Sequence, residues 1–329
     1  MSEETIEDML EEFLGSTEKK ATPEDFRSGF VALVGRPNAG KSTLVNSLLG
    51  EKVAITSPKP QTTRTRIRGI INRPDAQVVV VDTPGFCDNT NPLRKAMRKT
   101  AGTTPADCDL TVLVFEVKNT TAEPELDEVD QVILDAARRS EGGVLVALNK
   151  LDRLDQKELL LPWIQLFAAQ EGVSAVVPIS ALKRDGLEML EEELVKRLPL
   201  GEPLFPQDMH TDQTERNLCE ELIREQLLMQ TQEEVPHGVA VVIESFQDER
   251  RDDGGLVRIE GRIYVERESQ KGIVVGRKGA RIRSISEKAR LSIERALGSK
   301  VFLRMQVAVD KAWTARMESV QRYGIGTEE

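Results

Sequence analysis

Gly35-Arg36-Pro37-Asn38-Ala39-Gly40-Lys41-Ser42 is the stretch on which the reading of this 329-residue chain turns. It matches G-x-x-x-x-G-K-[ST], follows an apolar strand pattern at 30–34 and precedes a helical pattern at 43–49. In that setting successive backbone N–H groups and a helix N-terminus form a concavity for a β-phosphate. Lys41 places a point charge between β- and γ-phosphates, and the Ser42 hydroxyl is a hard oxygen ligand suited to Mg²⁺.

Working outward, the strand pattern at 77–81 ends at Asp82-Thr83-Pro84-Gly85. A carboxylate at that strand end can reach the same Mg²⁺ through a water, and the Gly85 N–H is free to face a γ-phosphate. The polar loop between these motifs contains Gln61-Thr62-Thr63-Arg64. A threonine there, Thr63 in preference to Thr62, can complete the metal shell when a γ-phosphate is present. Further on, Asn149-Lys150-Leu151-Asp152 matches N-K-x-D directly after the strand pattern at 144–148. The Asp152 carboxylate can accept from both N1–H and the 2-amino group of guanine, and adenine offers neither donor. Leaving it unpaired in a desolvated pocket costs about 1–3 kcal/mol or more, which selects GTP over ATP. Ser180-Ala181 closes the next strand, where the Ala181 N–H is expected to reach guanine O6.

From Gly29 to about Pro199 strand-like and helical patterns alternate, which predicts an α/β unit with a mainly parallel sheet and helices on both faces. The turn at 72–75 predicts one antiparallel hairpin at an edge. Three prolines within 199–206 mark a linker, followed by a helix over roughly 212–232. The domains are expected at 27–199 and 236–329, with a linker and connecting helix at 200–235 and an acidic extension at 1–26. Ile6, Met9, Leu10, Phe13 and Leu14 would form one stripe on a short helix in that extension. No function is assigned to it.

The formal net charge is −10, which argues against a nucleic-acid partner until its distribution is considered. Residues 1–26 carry nine acids against two bases, whereas residues 236–329 carry 18 bases against 14 acids. The positive segment holds Gly276-Arg277-Lys278-Gly279, preceded by an apolar run and followed by a basic helical pattern with Arg281 and Arg283. Its order, β-β-helix-turn-helix-β, is that of an α+β type II KH fold, in which a Gly-x-x-Gly turn lets backbone approach backbone and clamps single-stranded RNA. DNA is not expected as a partner. Cys87, Cys108 and Cys219 show no C-x-x-C pairing, so neither a disulfide framework nor a zinc site is indicated, and a reducing cytoplasm fits.

With four nucleotide motifs in order, the first part resembles the translation-factor-related GTPases. The P-loop asparagine, the Gln-Thr-Thr-Arg loop, the single KH unit and the ending Asp310 to Ile325 are similar to the Era-type GTPases. The resemblance runs from about Arg27 to Ile325. It implies a P-loop GTPase domain followed by a KH domain, GTP/GDP and Mg²⁺ as ligands, and slow hydrolysis. It further implies binding near the 3′ end of small-subunit ribosomal RNA, a role in 30S subunit assembly, and cytoplasmic location with peripheral association with the inner face of the plasma membrane. One departure from the Ras pattern stands out. Where Ras-type enzymes carry a water-orienting glutamine, this chain has Phe86, which can neither orient water nor move a proton. The resemblance implies that Asn38 holds a K⁺ beside the phosphates instead. Two other readings stand against this one: a constitutive RNA-binding protein with a structural GTPase domain, and a GTPase acting on a protein or tRNA-modification partner.

Overall fold

The computed structural model describes residues 25–86, 90–118, 123–231, 238–248 and 255–326. The expected N-terminal stripe, Cys87 and His237 lie outside the described residues.

The first unit is a six-stranded sheet in the order β2-β3-β1-β4-β5-β6. Its strands are β1 (Arg27–Val34), β2 (Ile67–Asn72), β3 (Ala76–Asp82), β4 (Leu110–Glu116), β5 (Val144–Asn149) and β6 (Val173–Pro178). All pair in parallel except β2, which joins β3 at the edge as the antiparallel hairpin predicted from the 72–75 turn. The helices are α1 (Lys41–Leu49), α2 (Pro92–Thr103), α3 (Glu128–Ala137), α4 (Leu160–Ala168) and α5 (Leu187–Arg197). Alternate residues of β4 serve opposite faces. Val112 and Val114 pack with Leu44, Leu190 and Leu194, while Leu113 and Phe115 pack with Ile133, Trp163 and Phe167. Burial on both faces is why the strand sequences read as unbroken apolar runs.

The linker is not a free tether. Gln77 Nε2 donates to Phe205 O at 2.8 Å while its Oε1 accepts from Leu204 N and Phe205 N at 2.7 and 2.9 Å. Ile70 N donates to His210 O at 2.9 Å, and Leu200 and Thr211 form isolated bridges with Arg27 and Gly69.

The second unit comprises α6 (Glu215–Gln230), β7 (Val239–Asp248), β8 (Leu256–Val265), α7 (Glu268–Val275), α8 (Ala280–Leu297), β9 (Lys300–Val309) and α9 (Met317–Arg322). Its sheet runs β7-β8-β9, antiparallel then parallel. Helix α6, grouped with the linker in the sequence reading, is a core element here: Cys219, Leu222, Ile223 and Leu227 pack with Ile259, Ile285, Ala289 and Ile293. An amphipathic stripe is complete in sequence, but the partner it faces is visible only once the chain is folded.

Apolar contacts cross between the units. Ile55, from the loop after α1, is buried in the second core. Leu93 and Met97 of α2 cluster with Ala240, Trp313, Val320 and Ile325. The Trp313 indole is fully buried and donates to Gly238 O at 2.9 Å, so it is packed and not presented to a base. Cys108 and Cys219 are both buried, and burial pushes the Cys108 thiol up to about 12. Among the described residues no helix is long and apolar enough to cross a membrane.

Candidate functional site

The 35–42 loop runs from β1 into α1 as its motif predicted, and two glycines make that path possible. Gly40 has φ 103°, and a Cβ there would lie 2.2 Å from Asn149 Nδ2; a Cβ on Gly35 would lie 2.3 Å from Val114 O. Gly85 also approaches Pro37 closely, its hypothetical Cβ 2.8 Å from the Pro37 backbone. The loop therefore lies close against β4, β5 and the Asp82–Gly85 segment, with no room for a side chain at Gly35, Gly40 or Gly85.

Lys41 reaches back over the loop, its Nζ donating to Gly35 O and Arg36 O, both at 3.1 Å. Burial lowers its pKa to about 8, and the nearby Asp82 carboxylate acts in the opposite sense. Asp82 is fully buried, and desolvation raises its pKa against the pull of Lys41, Ser42 and Thr63. Ser42 Oγ donates to Asp82 Oδ2 at 2.7 Å, Thr63 Oγ1 lies 3.2 Å from the same oxygen, and the two hydroxyls are 2.8 Å apart. Asp82 Oδ1 is buried without a partner. Three hard oxygens converging beside an orphaned carboxylate oxygen fit Mg²⁺, which binds one or two protein oxygens and fills its shell with waters and phosphates. Thr62, the alternative, turns away to Ser57 Oγ and Lys59 O, both at 2.8 Å.

The base side of the site is held by Asn149, 2% exposed. Its Nδ2 donates to Ala39 O at 2.8 Å, and its Oδ1 accepts from Ala181 N at 3.0 Å. This side chain ties the phosphate loop to the loop after β6. The Ala181 N–H, expected to face guanine O6, is thus directed at Asn149, because the two loops approach closely enough to bond one another. Ser180 Oγ donates to Asp152 Oδ1 and also accepts from Lys183 N at 3.2 Å, which sets the carboxylate's orientation. Lys150, at φ 70°, pairs with Glu116 Oε2 at 2.6 Å. Leu151 packs against the apolar cluster beneath β5. Asp152, Lys150, Asn149 and Ala181 share one cleft of about 450 Å³ with Lys41, Ser42, Thr63 and Gly85.

Several sequence-selected residues contribute otherwise than expected. The Arg36 side chain leaves the site to pair with Asp130 at 2.6 Å and with Asp127, so this position offers only its backbone. Its aliphatic stem spans the loop toward the N-terminus of α3, where carboxylates gather. Thr83 Oγ1 donates to Leu33 O at 2.7 Å in the interior. Phe86 packs onto the cluster around Phe115, away from the cleft. Asn38, at φ 64°, is exposed and its Nδ2 donates to Pro58 O at 3.1 Å. The loop after α1 also has partners that no motif announced. Thr56 N donates to Glu225 Oε1 at 3.0 Å, Lys52 pairs with Glu225 Oε2, and Arg224 donates to Thr62 O. Arg64 donates to Val239 O at 2.5 Å and lies over the Trp313 ring; burial and the neighbouring Arg224 lower it to about 9.

In the second unit the Gly276–Gly279 turn joins α7 to α8. Gly276 has φ 70° and a Cβ there would lie 2.7 Å from Arg281 Cβ, so the turn closes tightly onto the helix it precedes. Lys278, at φ 50°, takes a left-handed conformation unusual for a side-chain-bearing residue. Arg277, Lys278, Arg281 and Arg283 are exposed beside the α8 N-terminus, where helix amides and cationic side chains together favour phosphate. Arg281 is partly engaged, donating to Ile273 O at 2.5 Å.

Residues 30–150 match the family model described as 50S ribosome-binding GTPase, and residues 234–314 match that of the KH domain. The chain is 43% identical over 300 residues to the GTPase Era of Syntrophus aciditrophicus, covering 91% of this chain and 95% of that one. It belongs to the Era GTPase family. Identity to the GTPase Era of Geotalea uraniireducens is 45% over 303 residues, 92% and 99% of the two chains. Two solved Era structures superpose with a TM-score of 0.83 at 37% identity, covering 91% of this chain and 99% of theirs. One is an Aquifex aeolicus Era variant bound to GDP and AlF₄⁻; the other is an Era in complex with MgGDPNP and nucleotides 1506–1542 of 16S ribosomal RNA. The chain is accordingly a GTP-hydrolysing enzyme with a P-loop GTPase unit and a C-terminal KH unit.

Proposed function

We propose that this GTPase binds the 3′ region of small-subunit ribosomal RNA through its Gly276–Gly279 turn, and that bound GTP times that binding during assembly of the 30S subunit. The observation that carries the reading is the convergence of Ser42, Thr63 and Asp82. Thr63 stands in a loop that the second unit touches, so a ligand sensed by Thr63 is sensed by the RNA-facing unit.

In this reading the backbone of Gly35–Gly40 and the α1 N-terminus cradle the β-phosphate, and Lys41 neutralises charge between β- and γ-phosphates. Ser42, Thr63 and Asp82 would hold Mg²⁺, which when bound supplies electrostatic stabilisation of the phosphates. The Gly85 N–H faces the γ-phosphate. Asp152, held by Ser180, reads the guanine edge, and Ala181 reaches the base only by relinquishing Asn149. Because Phe86 offers water no polar atom, intrinsic hydrolysis is slow, and Asn38 would hold K⁺ beside the phosphates. Arg277, Lys278 and Arg283 meet RNA phosphates, with Arg281 shared between RNA and the α7 carbonyl.

The test is crosslinking to 16S RNA and co-sedimentation with 30S precursors, in GDP and in GDPNP. More RNA bound with GDPNP than with GDP, and loss of binding in Arg277→Glu/Lys278→Glu, are expected. Equal binding in both nucleotide states would leave a constitutive RNA-binding protein. Unimpaired binding by the charge-reversed pair would move the function to another partner.

A further inference from the structure

The chemistry of the GTPase cleft is built in the first unit, but its loop is held from the second. Near the base of that loop Asn46 fixes it locally, accepting from Val53 N and Ala54 N at 3.0 and 2.9 Å. Beyond Ala54 the other unit adds anchors of its own. The Ile55 side chain enters the second core at 1% exposure, and Glu225 receives Thr56 N–H together with the Lys52 ammonium. Arg224, the preceding residue on α6, donates to Thr62 O, and Arg64 reaches Val239 O on β7. Thr63 lies between two residues gripped by the second unit.

Arg224 and Glu225 are 3% and 4% exposed. Buried charges of this kind are seldom the best means of gluing two surfaces, because desolvation opposes the attraction and apolar residues of similar volume do as well or better. Here both charges are directed at the backbone of one loop, and Glu221 aims the Arg224 guanidinium, accepting from its Nε at 2.7 Å. We propose that Arg224 and Glu225 are positioning residues for the GTPase reaction: acting through the backbone of residues 56 and 62, they present Thr63 to the metal site. The proposal rests on the reading that Thr63 joins Mg²⁺ when a γ-phosphate is bound. By linkage, whatever grips the loop in this position raises affinity for the triphosphate state, and the triphosphate state strengthens the grip by the same factor.

The experiment uses the full chain without RNA and measures Mg·GDPNP and Mg·GDP affinity by titration with fluorescent nucleotide. Arg224→Met and Glu225→Ala are expected to lower the GDPNP-to-GDP affinity ratio roughly tenfold, to raise the Mg²⁺ needed for GDPNP binding, and to leave GDP affinity within about twofold of wild type, since GDP makes no demand on Thr63. Arg224→Lys, which keeps a donor for Thr62 O, recovers most of the ratio. Thr63→Ala sets the full loss, and adding Arg224→Met to it produces no further change. An unaltered ratio in a folded Arg224→Met or Glu225→Ala protein overturns the proposal, as do effects of Arg224→Met and Thr63→Ala that multiply. Should Arg224→Met fail to fold, Glu225→Ala and the Arg224→Lys cycle carry the same decision. A Thr63→Ala variant whose ratio equals that of wild type overturns the underlying switch reading instead.

Discussion

Replacing Asn149 by alanine should weaken the protein before any nucleotide is added. The side chain bonds Ala39 O and Ala181 N at 2.8 and 3.0 Å, and Ala39, Ala181 and Asn149 are each no more than 2% exposed. Truncation leaves one acceptor and one donor buried without partners, about 1–3 kcal/mol each, so roughly 2–6 kcal/mol in total before relaxation. For a unit of this size each kcal/mol moves Tm by about 2–4 °C, which predicts a fall of at least several degrees. Asp152→Ala supplies the contrast. Asp152 is exposed, but its partner Ser180 is buried, so removing the carboxylate costs one hydroxyl its acceptor, about 1–3 kcal/mol and roughly half the loss expected for Asn149→Ala. Both variants lose guanine nucleotide affinity, so binding assays cannot separate them. The assay is calorimetric melting of protein stripped of nucleotide with EDTA, because residual ligand would itself raise Tm. Equal Tm values for Asn149→Ala, Asp152→Ala and wild type would falsify the assignment of Asn149 as the stitch between the two loops.

Nucleotide affinity should fall with rising pH. Phosphate binding requires the Lys41 ammonium, burial lowers that group to about 8 in the free protein, and phosphate raises it again. Free protein above pH 8 must therefore take up a proton to bind, and GDP affinity should drop about fourfold between pH 7 and 8.5; a flat profile over this range, below the titration of guanine itself, would contradict that protonation state. Hydrolysis by wild type should be slow in Na⁺ and faster in K⁺, with the difference abolished in Asn38→Ala; equal phosphate release in the two salts removes Asn38 from the mechanism. Asp152→Asn should shift preference from GTP toward XTP by at least tenfold, about the 1.4 kcal/mol of one lost charge-assisted bond, as read by competition binding, and unchanged GTP affinity would undo the base-pocket assignment.

What was legible in the sequence follows from the range over which its causes act. The strands of the first sheet were readable because burial on both faces gives unbroken apolar runs such as residues 144–148. Lys41, Ser42 and Asp82 were readable because their chemistry depends on neighbours within a few residues. Thr63 was preferred to Thr62 from the sequence, and the fold supplies the reason: the backbone turns the Thr63 hydroxyl to Asp82 and that of Thr62 to Ser57 and Lys59. The Asn149 stitch joins positions 110 and 32 residues apart and leaves no local trace, and so the Ala181 amide was given to the base when it is bonded to protein. Arg224 did leave a trace. It falls on the arc of α6 that Leu227 and Leu228 also occupy, and a charge inside an apolar stripe asks for a partner. Arg281 looked like a free cation because its carbonyl partner, Ile273, belongs to the preceding helix.

The cluster of Leu93, Met97, Trp313, Val320 and Ile325 bears on how the molecule can be taken apart. A fragment ending at Pro199 would carry every nucleotide motif, yet it would bare Leu93, Met97 and Ile55 to water and strip Gln77 of the strip at 204–205 that satisfies both ends of its amide. Such a fragment should be sticky and poorly soluble for reasons unrelated to its chemistry. A tag placed close behind Ile325 would press on the same contact, since Gly326 already sits against Ala96 so closely that a Cβ there would lie 2.8 Å away. The two halves are better separated by point substitution than by scissors.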